Sequence, residues 1–386
     1  MPAEIHTVCF VGAGNMGCFN AVKAACAGYR VTLYDRDHPA LCRAQDLCAG
    51  YFDYFSSIGF CPSDAASEQL SRIVFTSDLS LATQDADLVS ESVFEDLTLK
   101  REIHERLDRL CPAHTILTTN SSFLLGSHVD VGVSRGDRFA AMHSYMGSPL
   151  VDLVGTGRTS HETLATLERY IRSLNATPLV LKKEYPGYVL NAILGPFLGM
   201  AMTFVAQGVA TASQVDRAWM TFRSAPMGPM GIMDIIGLSL IRSGWKNRGK
   251  GATDSALVER VLAVLDPMIA ANHSGISAGK GFYDYPNPLF ERPDFLLEED
   301  AIEALYNPLM TIWIANALKV AAAEVLEPSD IDKAWMIGTS LDQGPFAVLA
   351  DVGAYRFETL LEELVGARGF DPKEAQTVTD YVRNRL

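Results

Sequence analysis

Two stretches of this chain hold residue types whose spacing could do chemistry. The first is "GAGNMG", which sets Gly12, Gly14 and Gly17 in G-x-G-x-x-G spacing directly after the apolar run "TVCFV". A strand, a glycine turn and then a helix form a cradle for a dinucleotide. The first glycine permits the turn, the second lets a pyrophosphate approach the backbone, and the third lets the helix pack on the strand. Asn15 and Met16 lie in the same turn, where the N–H groups of a helix start would meet phosphate. "YRVTLYD" reads as the next strand and ends in Asp35, 18 residues after Gly17. A carboxylate there accepts hydrogen bonds from a ribose diol and repels a 2′-phosphate, so NAD is expected over NADP. Arg36, the next residue, is the counterweight.

The second stretch is "HSYMGSPLVDLVG", which begins at His143. Histidine is the usual general base near neutral pH, and it needs a partner to fix its tautomer. The stretch holds one acid, Asp152. Between the two stretches, "HTILTTNSS" reads as a strand whose end carries Asn120, Ser121 and Ser122. Ligands of open α/β sheets bind at the carboxyl ends of strands. These short polar residues either meet a nicotinamide or substrate there, or simply cap a turn.

The elements that must position these residues follow an α/β pattern. "ADLVSESV" reads as a buried strand and "LTLKREIHERLDRLC" as an amphipathic helix with charge on its outer face. Two segments after Asp35, "PALCRAQDLCAGYFDYFSSIG" and "SDAASEQLSRI", are expected to form an inserted helix pair. The chain has 386 residues and a formal net charge of -14, which argues against a nucleic-acid partner. Any phosphate must then be held by local features. The seven cysteines contain no C-x-x-C pair and read as reduced, buried thiols of a cytoplasmic protein. The first strand is read within a few residues of Met1, so no signal peptide is expected. The charge-free run "AILGPFLGMAMTFVAQGVA" is broken by Pro196, Gln207 and glycines, and is expected to be a buried helix rather than a membrane span. The histidines show no metal-ligand spacing such as H-E-x-x-H, so no metal site is expected.

Taken together, "VGAGNMG", "ESVFEDLTLKREIHERLD", "TTNSS", "DRFAAMH", "YPGYVLN", "APMGPMGIMDIIGL" and "GKGFYDY" resemble the L-3-hydroxyacyl-CoA dehydrogenase family, in the family's order, over roughly residues 5 to 285. The resemblance implies a Rossmann-type domain followed by an all-helical domain, with NAD as cofactor. It implies that His143 takes the hydroxyl proton and that Ser122 hydrogen-bonds the substrate oxygen. Asn191, in "YPGYVLN", matches the family's asparagine that faces the reaction centre. Glu95 and Lys100 match the pair beside the nicotinamide ribose.

The chain also departs from the family pattern, which resembles H-F-F-N-P-V-P and then L-V-E-V after the histidine. Counted without a gap, Met146 stands at the asparagine and Gly155 at the glutamate that partners the histidine. On a strand, residues 151, 153 and 155 share a face and Asp152 points to the other. Asp152 is therefore not expected to replace that glutamate. Tyr145, a backbone carbonyl, water or a substrate carboxylate would orient the ring instead. In the family, the insert after the second strand tends to carry lysines for CoA. Here residues 37 to 71 hold one basic residue, Arg43. The readings are accordingly a 3-hydroxyacyl(-CoA) dehydrogenase, a dehydrogenase of a free polar hydroxy acid (carnitine- or gulonate-like), or an NAD-binding protein with weakened catalysis.

The helical part repeats at a constant offset of 116 residues. Asn191 pairs with Asn307, Asp216 with Asp332, Trp219 with Trp335, Pro229 with Pro345 and Gly237 with Gly353. This periodicity reads as an internal duplication. The expected division is a Rossmann domain over 1–184, a first helical domain over 185–290 and a second over 291–386. A second copy packed on the first would mimic a dimer within one chain, so the expected state is a monomer or a homodimer. Asn307 is expected to be structural, and the Trp and Met residues of both copies to be core.

Overall fold

The computed structural model describes residues 4–62, 66–248, 255–297, 302–368 and 370–385. Eight strands form one sheet: β1 (Thr7–Val11), β2 (Arg30–Tyr34), β3 (Ile73–Thr76), β4 (Leu88–Glu91), β5 (Ile116–Thr119), β6 (Phe139–Ser144), β7 (Leu150–Gly155) and β8 (Thr177–Val180). Their order is β3-β2-β1-β4-β5-β6-β7-β8. Every neighbouring pair is parallel except β6 and β7, which are antiparallel.

The helices of this half are α1 (Asn15–Cys26), α2 (His38–Ser57), α3 (Ala66–Ser71), α4 (Leu79–Thr83), α5 (Leu97–Leu110), α6 (Gly126–Val129) and α7 (His161–Ser173). The inserted helix pair is thus present as α2 and α3, and residues 63–65 at the start of its expected second helix lie outside the described residues. β1, β4 and β5 are buried along their whole length, as parallel strands covered by helices on both faces must be. Alternation along β1 sorts the two faces. Val8 and Phe10 pack with Phe19 and Val22 of α1, Phe52 of α2 and Leu167 of α7. Cys9 and Val11 pack with Leu79 of α4, Ile103 and Leu107 of α5, and Val129 of α6. Ala140, Met142, Val151 and Leu153 also belong to the first face. His143 and Asp152 are therefore on the second.

The rest of the chain is helical: α8 (Leu190–Ala206), α9 (Ala212–Arg223), α10 (Pro229–Ile236), α11 (Leu238–Arg248), α12 (Ser255–Ala270), α13 (Glu303–Ala322), α14 (Pro328–Thr339), α15 (Pro345–Val352), α16 (Ala354–Arg368) and α17 (Pro372–Arg385). No helix among the described residues is long and apolar enough to cross a membrane. The starts of α9, α10 and α11 recur 116 residues later in α14, α15 and α16. The left-handed residue that ends α9, Ser224, recurs as Ser340 at the end of α14.

Packing divides the chain into one compact unit of residues 1–190 with 323–342, and a second of 191–322 with 343–386. These units cut across the expected boundary between the helical halves at 290. α14 belongs with the sheet: it packs on β7, and Lys182 N donates to Val325 O at 3.0 Å. The remainder of both halves shares one core. Trp219 stands edge-on to Trp313 at 5.3 Å and packs on Phe197 at 4.5 Å. All four tryptophans are buried, as expected. Five of the seven cysteines are buried, but Cys26 is only half-buried and Cys42 is exposed on the outer side of α2, which corrects the expectation that all are core.

Within the second unit, the conspicuous motif residues build local structure. Asp216 accepts from Met230 N (2.7 Å), Gly231 N (3.0 Å) and the Tyr283 hydroxyl (2.9 Å), so it caps the start of α10. A Cβ on Gly228 would lie 2.4 Å from the Asp216 carboxyl carbon, which is why glycine precedes that helix. Burial outweighs these donors and pushes the Asp216 carboxyl up to about 7.

Candidate active site

The glycine turn has the geometry its spacing predicts. Gly12 follows β1 with φ +108°, and a Cβ there would come within 2.7 Å of Ser92 O on the neighbouring strand's extension. A Cβ on Gly17 would lie 1.8 Å from Gly12 O, so only glycine lets α1 start this close to the strand. Gly14 differs from both: no atom lies within 4 Å of its Cβ position. It is the residue before α1, whose first turn has no side-chain cap and no acid. Open space over unpaired N–H groups at the positive end of a helix suits a pyrophosphate. Asn15 is exposed and Met16 half-buried in that turn. Asp35 Oδ2 accepts from Ala13 N at 2.9 Å and Oδ1 from Asp37 N at 3.0 Å. The carboxylate expected to meet a ribose is thus also the brace of the glycine turn.

At the ends of β4 and β5 lies a buried charge cluster. Lys100 Nζ donates to Glu91 Oε1 at 2.6 Å, and both side chains are almost fully buried. Glu91 Oε2 accepts from Thr119 Oγ1 at 2.8 Å and lies 3.3 Å from His104 Nε2. Burial is the largest influence on Glu91 and raises its proton affinity. His104 and Lys100 together outweigh it and hold the carboxyl at about 2. Sequence reading singled out Lys100 but missed Glu91 and passed over His104. The available signal was an acid ending an otherwise buried strand, "ADLVSE", which has to be paired.

Lys100 also reaches Glu95 Oε2 at 3.5 Å. Glu95 Oε1 in turn accepts from Ser121 Oγ, Phe123 N (3.1 Å) and Leu124 N (3.3 Å). The pair Glu95 and Lys100 therefore orders the loop that carries Ser122. Asn120 Oδ1 accepts from Ser144 N at 2.8 Å and ties the end of β5 to the end of β6.

The histidine stands beside that tie. Ser122 Oγ lies 3.2 Å from His143 Nε2. On the other side of the ring, His143 Nδ1 lies 3.1 Å from Asp152 Oδ2. The expectation that Asp152 does not replace the family's glutamate is overturned. The antiparallel register pairs His143 directly with Asp152, whereas Gly155 pairs with Ala140. Asp152 does point away from the face of 151, 153 and 155, but the histidine is on its side of the sheet. Gly155 has no room for a side chain, since a Cβ would lie 2.8 Å from Thr159 Cβ. The hairpin between Ser144 and Leu150 turns at Gly147, with φ +78°. That short connection sets the register.

Tyr145 stands on the same carboxylate. Its hydroxyl donates to Asp152 Oδ2 at 2.6 Å, and its ring stands edge-on to His143 at 4.5 Å. The opposite face of His143 is covered by Tyr188, stacked at 4.9 Å with 9° between planes. Tyr188 adopts φ +54° and donates to Ser121 O at 2.7 Å. Sequence reading gave it no role, because neither its strained backbone nor its stacking is written in residue type. Burial pushes Asp152 above the usual carboxylate range, and the His143 and Tyr145 hydrogen bonds act against that rise. Asn191 is the second residue of α8 and half-buried in the other compact unit.

An ionised carboxylate can only accept, so it places the proton of neutral His143 on Nδ1 and leaves Nε2 free to take one. A dinucleotide cradle and a carboxylate-backed histidine on one mostly parallel sheet fit a nicotinamide-dependent dehydrogenase.

The model of the 3-hydroxyacyl-CoA dehydrogenase NAD-binding domain matches residues 7–185, and that of the C-terminal domain matches residues 187–285. A probable 3-hydroxyacyl-CoA dehydrogenase of Caenorhabditis elegans is 31% identical over 73% of this chain and 96% of its own length. The chain belongs to the 3-hydroxyacyl-CoA dehydrogenase family, an NAD-dependent group of oxidoreductases. A solved diketoreductase, described as a catalyst on dicarbonyl compounds, is 33% identical, covers 73% of this chain and all of its own, and has a TM-score of 0.67. The 3-hydroxybutyryl-CoA dehydrogenase of Escherichia coli shares the fold over 99% of this chain and 98% of its own, at 20% identity and a TM-score of 0.77.

Proposed function

We propose that this chain interconverts a secondary alcohol and a ketone on a 3-hydroxyacyl-type substrate, with His143 as the base. The observation that carries the reading is the line Ser122–His143–Asp152, with 3.2 Å and 3.1 Å between successive polar atoms. Nε2 of His143 accepts the hydroxyl proton as the C–O bond becomes a carbonyl. Ser122 holds the same oxygen from the side, and Asp152 steadies the imidazolium that forms. Bound NAD supplies the acceptor for the hydride that leaves the carbinol carbon. Gly12, Gly14 and Gly17 would hold its pyrophosphate, Asp35 its adenosine ribose, and Glu95, Lys100 and Asn120 border the nicotinamide end. Asn191 is proposed as a second contact to the substrate oxygen, on its motif alone. The repeated helices are proposed to descend from an internal duplication.

The carboxylate behind His143 removes the observation that motivated a non-catalytic reading. A free hydroxy acid or a dicarbonyl compound is the second reading for the substrate. It is favoured by the single basic residue, Arg43, in residues 37 to 71, and by the likeness to the diketoreductase. A substrate panel settles the choice: 3-hydroxybutyryl-CoA and longer acyl-CoAs against free 3-hydroxy acids, read by NADH absorbance. Turnover of CoA esters with total loss in His143→Ala is expected. Full turnover in that variant would remove the histidine from the mechanism.

A further inference from the structure

We propose that Tyr145 is a positioning residue that tunes the proton affinity of His143 through Asp152. The proposal rests on the reading of His143 as the base. Asp152 Oδ2 accepts two hydrogen bonds, one from the Tyr145 hydroxyl at 2.6 Å and one from His143 Nδ1 at 3.1 Å. Its other oxygen, Oδ1, is buried and meets no donor among the described residues. The whole side chain is shut off from solvent. Tyr145 is thus the one hydroxyl among these contacts that shares the carboxylate's charge with the histidine. Its ring cannot swing away freely, because it stands against the His143 ring at 4.5 Å and 79°.

The direction of the effect follows from charge. A phenol donor stabilises the negative carboxylate more than a protonated one. It therefore makes the last proton of the His143–Asp152 pair easier to remove. Without the hydroxyl, the pair holds its proton to higher pH, whichever of the two residues carries it. The surrounding charges do not replace that donor. Burial, and then the charges of Asp152, Glu95, Glu184 and Glu91, push the Tyr188 phenol up over the His143 ring. Glu91 and Glu95 are offset by Lys100, at 2.6 and 3.5 Å. The Tyr145 hydroxyl thus loosens the hold of the His143–Asp152 pair on that proton.

The test needs no substrate. Histidine-selective nitrogen NMR follows the titration of His143, with His143→Ala identifying its signal among the 8 histidines. In Tyr145→Phe, which keeps the ring and removes the donor, the midpoint is expected to rise by about one pH unit, the shift equivalent to one modest charge-assisted hydrogen bond. Fluorotyrosine at position 145, the same shape with a stronger donor, is expected to lower it. In the Asp152→Asn background no negative charge is left to share, so the shift from Tyr145→Phe is expected to be much smaller. A midpoint that stays or falls in Tyr145→Phe overturns the proposal, as does a shift that persists undiminished without the carboxylate. With 3-hydroxybutyryl-CoA, the acid limb of kcat/KM moves up by the same amount. An unmoved NMR midpoint alongside an inactive His143→Ala sinks the Tyr145 proposal alone. An active His143→Ala sinks the base reading instead.

Discussion

Replacing Asp152 by Asn and by Ala should separate two contributions of the acid behind His143. Oδ2 accepts from both Tyr145 and His143, while Oδ1 has no donor among the described residues. An asparagine will therefore present its carbonyl oxygen at the Oδ2 position, because the amide nitrogen cannot accept from the phenol. The histidine keeps its tautomer in Asp152→Asn and loses only the charge. A charge-assisted hydrogen bond in a buried site is worth about 3 kcal/mol at most, which is roughly 10²-fold in rate. Asp152→Ala removes the tautomer lock as well, and corruption of that lock costs up to ~10⁴-fold in related chemistry. The expected order is thus wild type, then Asn, then Ala, separated by about two decades each. The loss should fall on kcat with KM little changed, since Asp152 would act through His143, the proposed base. The assay is initial-rate NADH formation from 3-hydroxybutyryl-CoA, checked in reverse with acetoacetyl-CoA. If Asp152→Asn stays within a few-fold of wild type, the carboxylate is not the partner of His143 and the argument from register fails. If Asn is as damaging as Ala, the carbonyl orientation argued from Tyr145 is wrong.

Two further outcomes test the cofactor half. Gly14→Val has open space around its Cβ position and an extended backbone, so thermal stability should hold while NAD affinity measured by calorimetry falls by at least tenfold; unchanged affinity would place the pyrophosphate elsewhere. Glu91→Gln leaves buried Lys100 with only the more distant Glu95, at 3.5 Å, as counter-charge, and should cost about 3 kcal/mol in urea denaturation. Because the Glu91 carboxyl is held at about 2, below its ordinary 4.5, its stabilisation is present above pH 4.5 and lost as pH falls toward 2. The gap between wild type and Glu91→Gln should therefore close over that window, and a constant gap would show that Glu91 is not ionised in the fold.

Much of the cofactor half is legible in residue order. The glycine spacing, the strand before it and Asp35 after it are local, and a turn that has no room for Cβ atoms leaves a local trace. β1 spans the residues its pattern predicts. The helical repeat is also readable, because an offset of 116 needs only one sequence laid on itself.

The reacting centre is different in kind. His143, Ser122 and Asn120 are each identifiable by type and by their strand ends, but what holds the histidine is a pairing across two strands. The alternation of a strand tells which of its residues share a face, and says nothing about which face its neighbour presents. Counting without a gap put an absent carboxylate at Gly155, while the hairpin turning at Gly147 set Asp152 opposite His143. The cue was a Gly-Ser-Pro turn between two apolar runs, which marks a hairpin and hence a register. Nor does any local pattern announce that Tyr188 stacks on His143, that Glu91 needs Lys100 and His104, or that α14 leaves its own repeat to pack on β7. The sequence by itself determined the nucleotide cradle, because its chemistry is made by neighbours along the chain. Only the tertiary structure decided the partner of His143, because hydrogen bonds between strands depend on register and not on order.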